Sequence, residues 1–211
     1  MVDGSENIDH LLSMISQKKP DLVEFRFDNL NDFGMLEAIA KKKTFPAIAT
    51  DRSYRDAATT KKFLVGAASA GFEFVDLDSA SPFANAAIAQ VKSLGAEVIV
   101  SFHDFSKTPS PNDLKEALHA QIKAGSDVCK IVTTAVHPHD NLSILHFVEE
   151  ESSKTRLVSF AMGRQGVPSR VLSPLFGAEF TFASLGEASK TADGQLTIDN
   201  LRSVWQLLGV Q

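Results

Sequence analysis

A lysine stands inside an apolar run at Val128-Cys129-Lys130-Ile131-Val132. Lysine is among the residues least often buried without a partner. An ammonium taken out of water tends to shed its proton. The neutral amine is then a nucleophile, and its usual use is a Schiff base with a carbonyl substrate. The alternative is that Lys130 caps its strand and snorkels to water; the residue alone leaves both readings open. An iminium formed at such a lysine draws electrons and acidifies the neighbouring carbon. His103, in Ser101-Phe102-His103-Asp104-Phe105, has the side chain suited to removing that proton, since free imidazole titrates at about 6.5. Glu24, Arg26, Arg52, Asp56 and Arg170 complete the set of polar candidates. Each also has a plainer reading. Glu24 and Arg26 could form an internal ion pair, His103 could bond Asp104, and Arg170 could be a solvated loop charge.

Elements must bring these residues together, and the chain has room for them. It has 211 residues, 44% hydrophobic and 22% charged, enough for one large domain over residues 1–211. A net charge of −5 argues against nucleic acid as the main ligand, because there is no basic excess to displace counterions. The single cysteine, Cys129, excludes an internal disulfide and any cysteine-based metal cluster. In a strand it points away from Lys130 and is expected as apolar filler under a helix. His137 and His139 flank Pro138 without nearby ligand partners and are expected at the surface, and no metal site is expected. No stretch reaches membrane-spanning length, and the opening MVDGSENIDH does not read as a signal peptide. The expectation is a cytoplasmic protein acting on a small molecule, with no nucleic-acid or membrane partner.

Strand-like and helix-like segments alternate throughout. The strand candidates are 21–28, 45–51, 72–78, 97–105, 128–134, 156–163 and 179–186. Between them lie helical patterns such as 81–95, with Ser81 as cap, Pro82 at the first position and Gly95 as stop. The pattern at 111–125 closes similarly at Gly125, and the last helix is capped by Thr197. Such alternation implies parallel strands joined by right-handed crossovers, as an open doubly wound sheet or a closed (β/α)8 barrel. The strand faces favour the barrel. In DLVEFRFD, period two puts Glu24, Arg26 and Asp28 opposite Val23, Phe25 and Phe27. An open sheet covered on both sides has no place for that charged face, whereas the top of a barrel interior does. Asp76 with Asp78, and Ser101 with His103, share faces in the same way. Seven strands are counted where a barrel wants eight. The missing one should precede the first helix, at roughly 7–19, where only Met1-Val2 is available, so the first strand is expected to be a stub or missing.

The series EFRFD, SFHDF, the strand lysine, MG-x-x-G-x-x-SR and a terminal GQ resembles type I 3-dehydroquinate dehydratase, in an archaeal-like short form, from about residue 20 onward. The resemblance implies a (β/α)8 barrel, usually a homodimer, that needs no cofactor and converts 3-dehydroquinate to 3-dehydroshikimate on the route to aromatic amino acids. Carried over, Lys130 forms the Schiff base, His103 moves the protons, and Arg170 pairs with the substrate carboxylate. Glu24, Arg26 and Arg52 hold ring hydroxyls and carboxylate, while Thr191 and Gln195 bind substrate from a closing loop. Two places depart from the family pattern. Asp56-Ala57-Ala58 stands where the family has a glutamate and two glycines, so the acid that orients the histidine is one methylene shorter. Thr191-Ala192-Asp193-Gly194-Gln195 stands for S-A-P-G-Q, so the closing loop loses its proline. A class I aldolase sharing the barrel lysine, and a non-catalytic barrel that binds a small carboxylic acid, are the rival readings.

Overall fold

The computed structural model describes residues 8–28, 33–52 and 57–210. In chain order its elements are α1 (Ile8–Lys18), β1 (Val23–Arg26), α2 (Phe33–Lys42), β2 (Ala47–Thr50), α3 (Ala57–Ala70), β3 (Phe74–Asp78) and α4 (Ala84–Ser93). They continue with β4 (Glu97–His103), α5 (Pro111–Ala124), β5 (Val128–Thr134), α6 (Asp140–Glu151), β6 (Leu157–Met162), α7 (Val167–Leu172) and α8 (Ile198–Leu207). The strands form one sheet in the order β1-β2-β3-β4-β5-β6. The β1–β2, β2–β3 and β5–β6 pairs are parallel. This is the α/β alternation expected from the sequence. The contacts of the chain fall into two compact units, one of described residues up to 100 with 123–127, the other of 101–122 with 128 onward.

In the first unit, period two separates grease from charge. Phe25 and the fully buried Phe27 pack with Phe45, Phe63 and Phe72, ring centroids 5.0–6.4 Å apart. Glu24 and Arg26 therefore take the opposite face of β1. The register sets Arg26 beside Thr50 and Thr50 beside Asp76, so the charged face runs across three strands. The helices end where the sequence pattern stops them. Gly95 and Gly125 adopt φ of +87° and +93°, a left-handed conformation that glycine enters without a Cβ clash.

In the second unit, Cys129 and Ile131 of β5 and Leu157 and Ala161 of β6 pack against Leu114 and Leu118 of α5 and Ile144, Phe147 and Val148 of α6. Cys129 is thus the buried filler expected of it.

Two expectations are corrected. Residues 179–186 are not a strand. They form only one isolated bridge, Ser184 to Thr197. Their backbone is engaged elsewhere: Glu179 N–H donates to Leu157 O (2.8 Å), and Phe182 O accepts from Arg170 Nη1 (3.4 Å). Six strands, not seven, are present among the described residues. Ser81 is not a helix cap either. Ser81 N–H donates to Asp78 O and Ala84 N–H to Ser81 O, which makes 78–84 a turn and delays α4 to Ala84. Thr197 caps as expected, its Oγ1 accepting from Asn200 N–H at 3.2 Å. The expected stub strand at Met1-Val2 lies outside the described residues.

Candidate active site

Lys130 is 5% exposed at the middle of β5. Its neighbours Cys129 and Ile131 point into the helix-facing core, so period two turns Lys130 to the other face. Phe102 packs on that same helix-facing core, which places Ser101 and His103 of β4 on the face of Lys130. The Asp104 N–H donates to Val132 O at 2.9 Å. This bond sets His103 beside Val132, one side-chain period beyond Lys130. Strand spacing and rise then put the two Cα atoms about 8 Å apart, within joint reach of a lysine and an imidazole.

Aromatic rings shape the surroundings. Lys130 Nζ lies 4.4 Å from the centroid of the Phe182 ring. His103 lies parallel to Phe105, centroids 5.7 Å apart and planes 9° apart. Asp104 does not serve the imidazole. Its Oδ1 accepts from Ser106 N–H, Ser106 Oγ and Lys107 N–H. Partial burial opposes its ionisation, but the Ser106 and Lys107 hydrogen bonds and the Lys107 charge outweigh that and hold the carboxyl below its ordinary value.

Arg170 is not a solvated loop charge. It is 2% exposed and lies in α7. Its guanidinium carbon sits 4.1 Å above the Phe160 ring, and Nη1 donates to Phe182 O. Nε and Nη2 have no hydrogen-bond partner. Burial without an anion lowers its proton affinity to about 10. A planar fork with two unused donors on an aromatic face suits one ligand carboxylate. Phe182 thus touches both Lys130 and Arg170.

The loop bearing Thr191 and Gln195 docks beside β6. Gly163 N–H donates to Asp193 O at 3.2 Å, and a Cβ on Gly194 would strike Gly163 O. Gln195 is buried, and its Oε1 accepts from Thr191 N–H at 2.8 Å and from Thr191 Oγ1 at 3.3 Å. Thr191 therefore shapes the loop that carries Gln195, although the family proline is missing.

The other candidates lie in the first unit. Glu24 Oε1 accepts from Thr50 Oγ1 at 2.9 Å. Arg26 pairs with Asp28, not the Glu24 partner considered from the sequence. Arg52 Nη2 pairs with the fully buried Asp76 at 2.5 Å, and Nε lies 3.8 Å from Asp78. Burial opposes the Arg52 charge, but Asp76, Asp78 and Glu24 more than offset it, so the guanidinium is held charged beyond its ordinary value. Asp56 lies outside the described residues. No group of three or more His, Cys, Asp or Glu side chains able to hold a metal ion occurs among the described residues, and no helix among them is long and apolar enough to cross a membrane.

Phe160 and Phe182 went unrecognised as site residues in the sequence. The alternation of Phe180 and Phe182 was visible there, but as a strand signal only. A model of the type I 3-dehydroquinase family matches residues 1–211. The chain belongs to this family. Relatives named 3-dehydroquinate dehydratase include one from Dehalococcoides mccartyi, 32% identical over 190 residues, 87% of this chain and 84% of the relative. Another, from Methanococcus maripaludis, is 30% identical over 214 residues, 96% of each chain. The crystal structure of the 3-dehydroquinate dehydratase from Geobacillus kaustophilus superposes with a TM-score of 0.87 at 24% identity, covering 95% of this chain and 85% of that one; that likeness is one of fold. In this type I 3-dehydroquinase, the face of β4 and β5 that carries His103 and Lys130 is the candidate active site.

Proposed function

We propose that this chain dehydrates 3-dehydroquinate to 3-dehydroshikimate through a Schiff base on Lys130. The observation that carries the reading is the shared face: a buried lysine and a histidine on neighbouring strands, both turned from the helices. Lys130 Nζ attacks the C3 ketone, the carbinolamine loses water, and an iminium joins enzyme to substrate. His103 removes the C2 proton, and the C–H electron pair moves into the iminium as an enamine. The enamine then expels the C1 hydroxyl, which leaves as water with the proton His103 returns. Hydrolysis of the conjugated iminium frees the product and restores the amine, so the net change is loss of one water.

Arg170 holds the substrate carboxylate with Nε and Nη2. The family resemblance assigns Glu24, Arg26 and Arg52 to ring hydroxyls and carboxylate and Asp56 to orienting the histidine; Gln195 closes over the ligand with Thr191 shaping its loop. The fold reading that goes with this is a (β/α)8 ring, in which active groups gather at the C-terminal strand ends; the resemblance in fold to the Geobacillus kaustophilus enzyme supports it. The working form is a homodimer in the cytoplasm.

Borohydride reduction in the presence of 3-dehydroquinate, followed by peptide mass mapping, tests this. The expected result is a stable adduct on Lys130 and none in Lys130→Ala. Labelling at another residue, or no labelling in a protein that turns the substrate over, rejects the mechanism.

A further inference from the structure

We infer that Asn141 is a positioning residue for Arg170, fixing the guanidinium where a substrate carboxylate meets it. This rests on the carboxylate role given to Arg170 above. Arg170 rides on α7, a helix of six residues, and helices that short do not hold themselves. Asn141, buried at the start of α6, supplies the brace. Its Oδ1 accepts from Ser169 N–H at 2.9 Å. Its Nδ2 donates to Pro138 O at 2.9 Å and to Gln165 O at 2.7 Å. One amide thus joins the loop after β5, the loop after β6 and the residue immediately before Arg170.

The arrangement admits one orientation of the amide, because an N–H faces its oxygen and two carbonyls face its nitrogen. Ser169 extends it: Oγ accepts from Ala161 N–H at 3.0 Å and donates to Gly166 O at 2.9 Å. On the other side, Arg170 O accepts from Thr181 Oγ1 at 2.8 Å. The backbone of Arg170 is held before and behind, while its fork is left to a ligand. A bidentate guanidinium needs such support, since binding groups must be held within about 0.5 Å and 10–20° of their working geometry.

The test is steady-state kinetics with 3-dehydroquinate on Asn141→Asp, Asn141→Leu, Arg170→Met and the Asn141→Asp/Arg170→Met double variant. Asn141→Asp is near-isosteric but turns two donors into acceptors facing carbonyls. Each Asn141 variant is expected to raise KM by about 10-fold or more and to change kcat by less than about threefold. In the Arg170→Met background, Asn141→Asp is expected to add less than about twofold to KM, because its effect runs through the missing guanidinium. An unchanged KM in the single variants, or effects that multiply in the double variant, overturns the inference. If Arg170→Met raises KM and the Asn141 variants do not, only Asn141 loses its role; if Arg170→Met leaves KM unchanged, both readings fall. Should either Asn141 variant not fold, Ser169→Ala replaces it, with the same pattern expected and the same pattern decisive.

Discussion

Arg170 and Arg52 are both buried guanidinium groups, one in each unit, yet they are held in opposite ways. Arg52 sits against Asp76 and Asp78 and is kept charged by them. Arg170 sits on the Phe160 ring with one carbonyl at Nη1, and burial loosens its hold on the proton. The difference separates a charge already answered by the fold from a charge awaiting an answer. A buried ion pair removed from water holds its partners together, and losing one partner leaves the other stranded. A buried arginine without an anion costs stability until a ligand brings one. The Arg52 environment builds structure around the charged face of β1–β3, and the Arg170 environment leaves Nε and Nη2 for the substrate carboxylate proposed above.

The largest effect expected is chemical and is confined to the second unit. His103→Ala should lower kcat by about 10²–10⁴-fold, the usual range for a general acid–base group. Substrate binding should persist and the melting temperature should hardly move. Near-normal turnover would take the proton transfers away from His103.

Next in size is the loss of the Arg52 counter-ion. Asp76→Asn should destabilise by about 3–5 kcal/mol, a fall of roughly 10 °C in Tm by calorimetry. A change within error would show that the pair contributes nothing to the first unit and would erase the contrast between the two arginines.

The smallest effect has the opposite sign. Arg170→Met should stabilise the free protein by about 1–3 kcal/mol, since an apolar side chain replaces a buried charge, while raising KM. The pH dependence follows from its value of about 10, lowered by burial from the ordinary guanidinium range. The burial cost is present in full below about pH 10. Above that, until the guanidinium of the unfolded chain also titrates, the folded state binds fewer protons than the unfolded chain, so this group's contribution to stability rises with pH. Carboxylate affinity falls across the same window as the charge is lost. A lowered Tm in Arg170→Met, together with an unchanged KM, would make Arg170 a structural residue like Arg52.

Much of this organisation was legible in the chain because it follows from period two. The opposition of Lys130 to Cys129, the charged face of β1 and the ends of α4 and α5 at Gly95 and Gly125 all come from local pattern. What escaped depends on partners distant in sequence. Residues 179–186 alternate like a strand, but nothing local shows that Phe182 O is engaged by Arg170. Taken singly, Arg170 read as a loop charge, and only the resemblance gave it a carboxylate, because its contacts with Phe160 and Phe182 O do not show in the local pattern. Asn141 gave no signal, since two of its three partners, Gln165 O and Ser169 N–H, lie in distant stretches of the chain. Arg26 turned to Asp28 instead of Glu24, a choice between acids that spacing alone does not make.

The central claim is that the substrate ketone becomes an iminium on Lys130. Turnover in water enriched in ¹⁸O tests this directly, because the ketone oxygen must leave as water and return from solvent when the product is released. The account predicts 3-dehydroshikimate carrying the label at the ketone carbon in every turnover, well above the exchange seen without protein. Product formed at full rate with the ketone oxygen retained would contradict it.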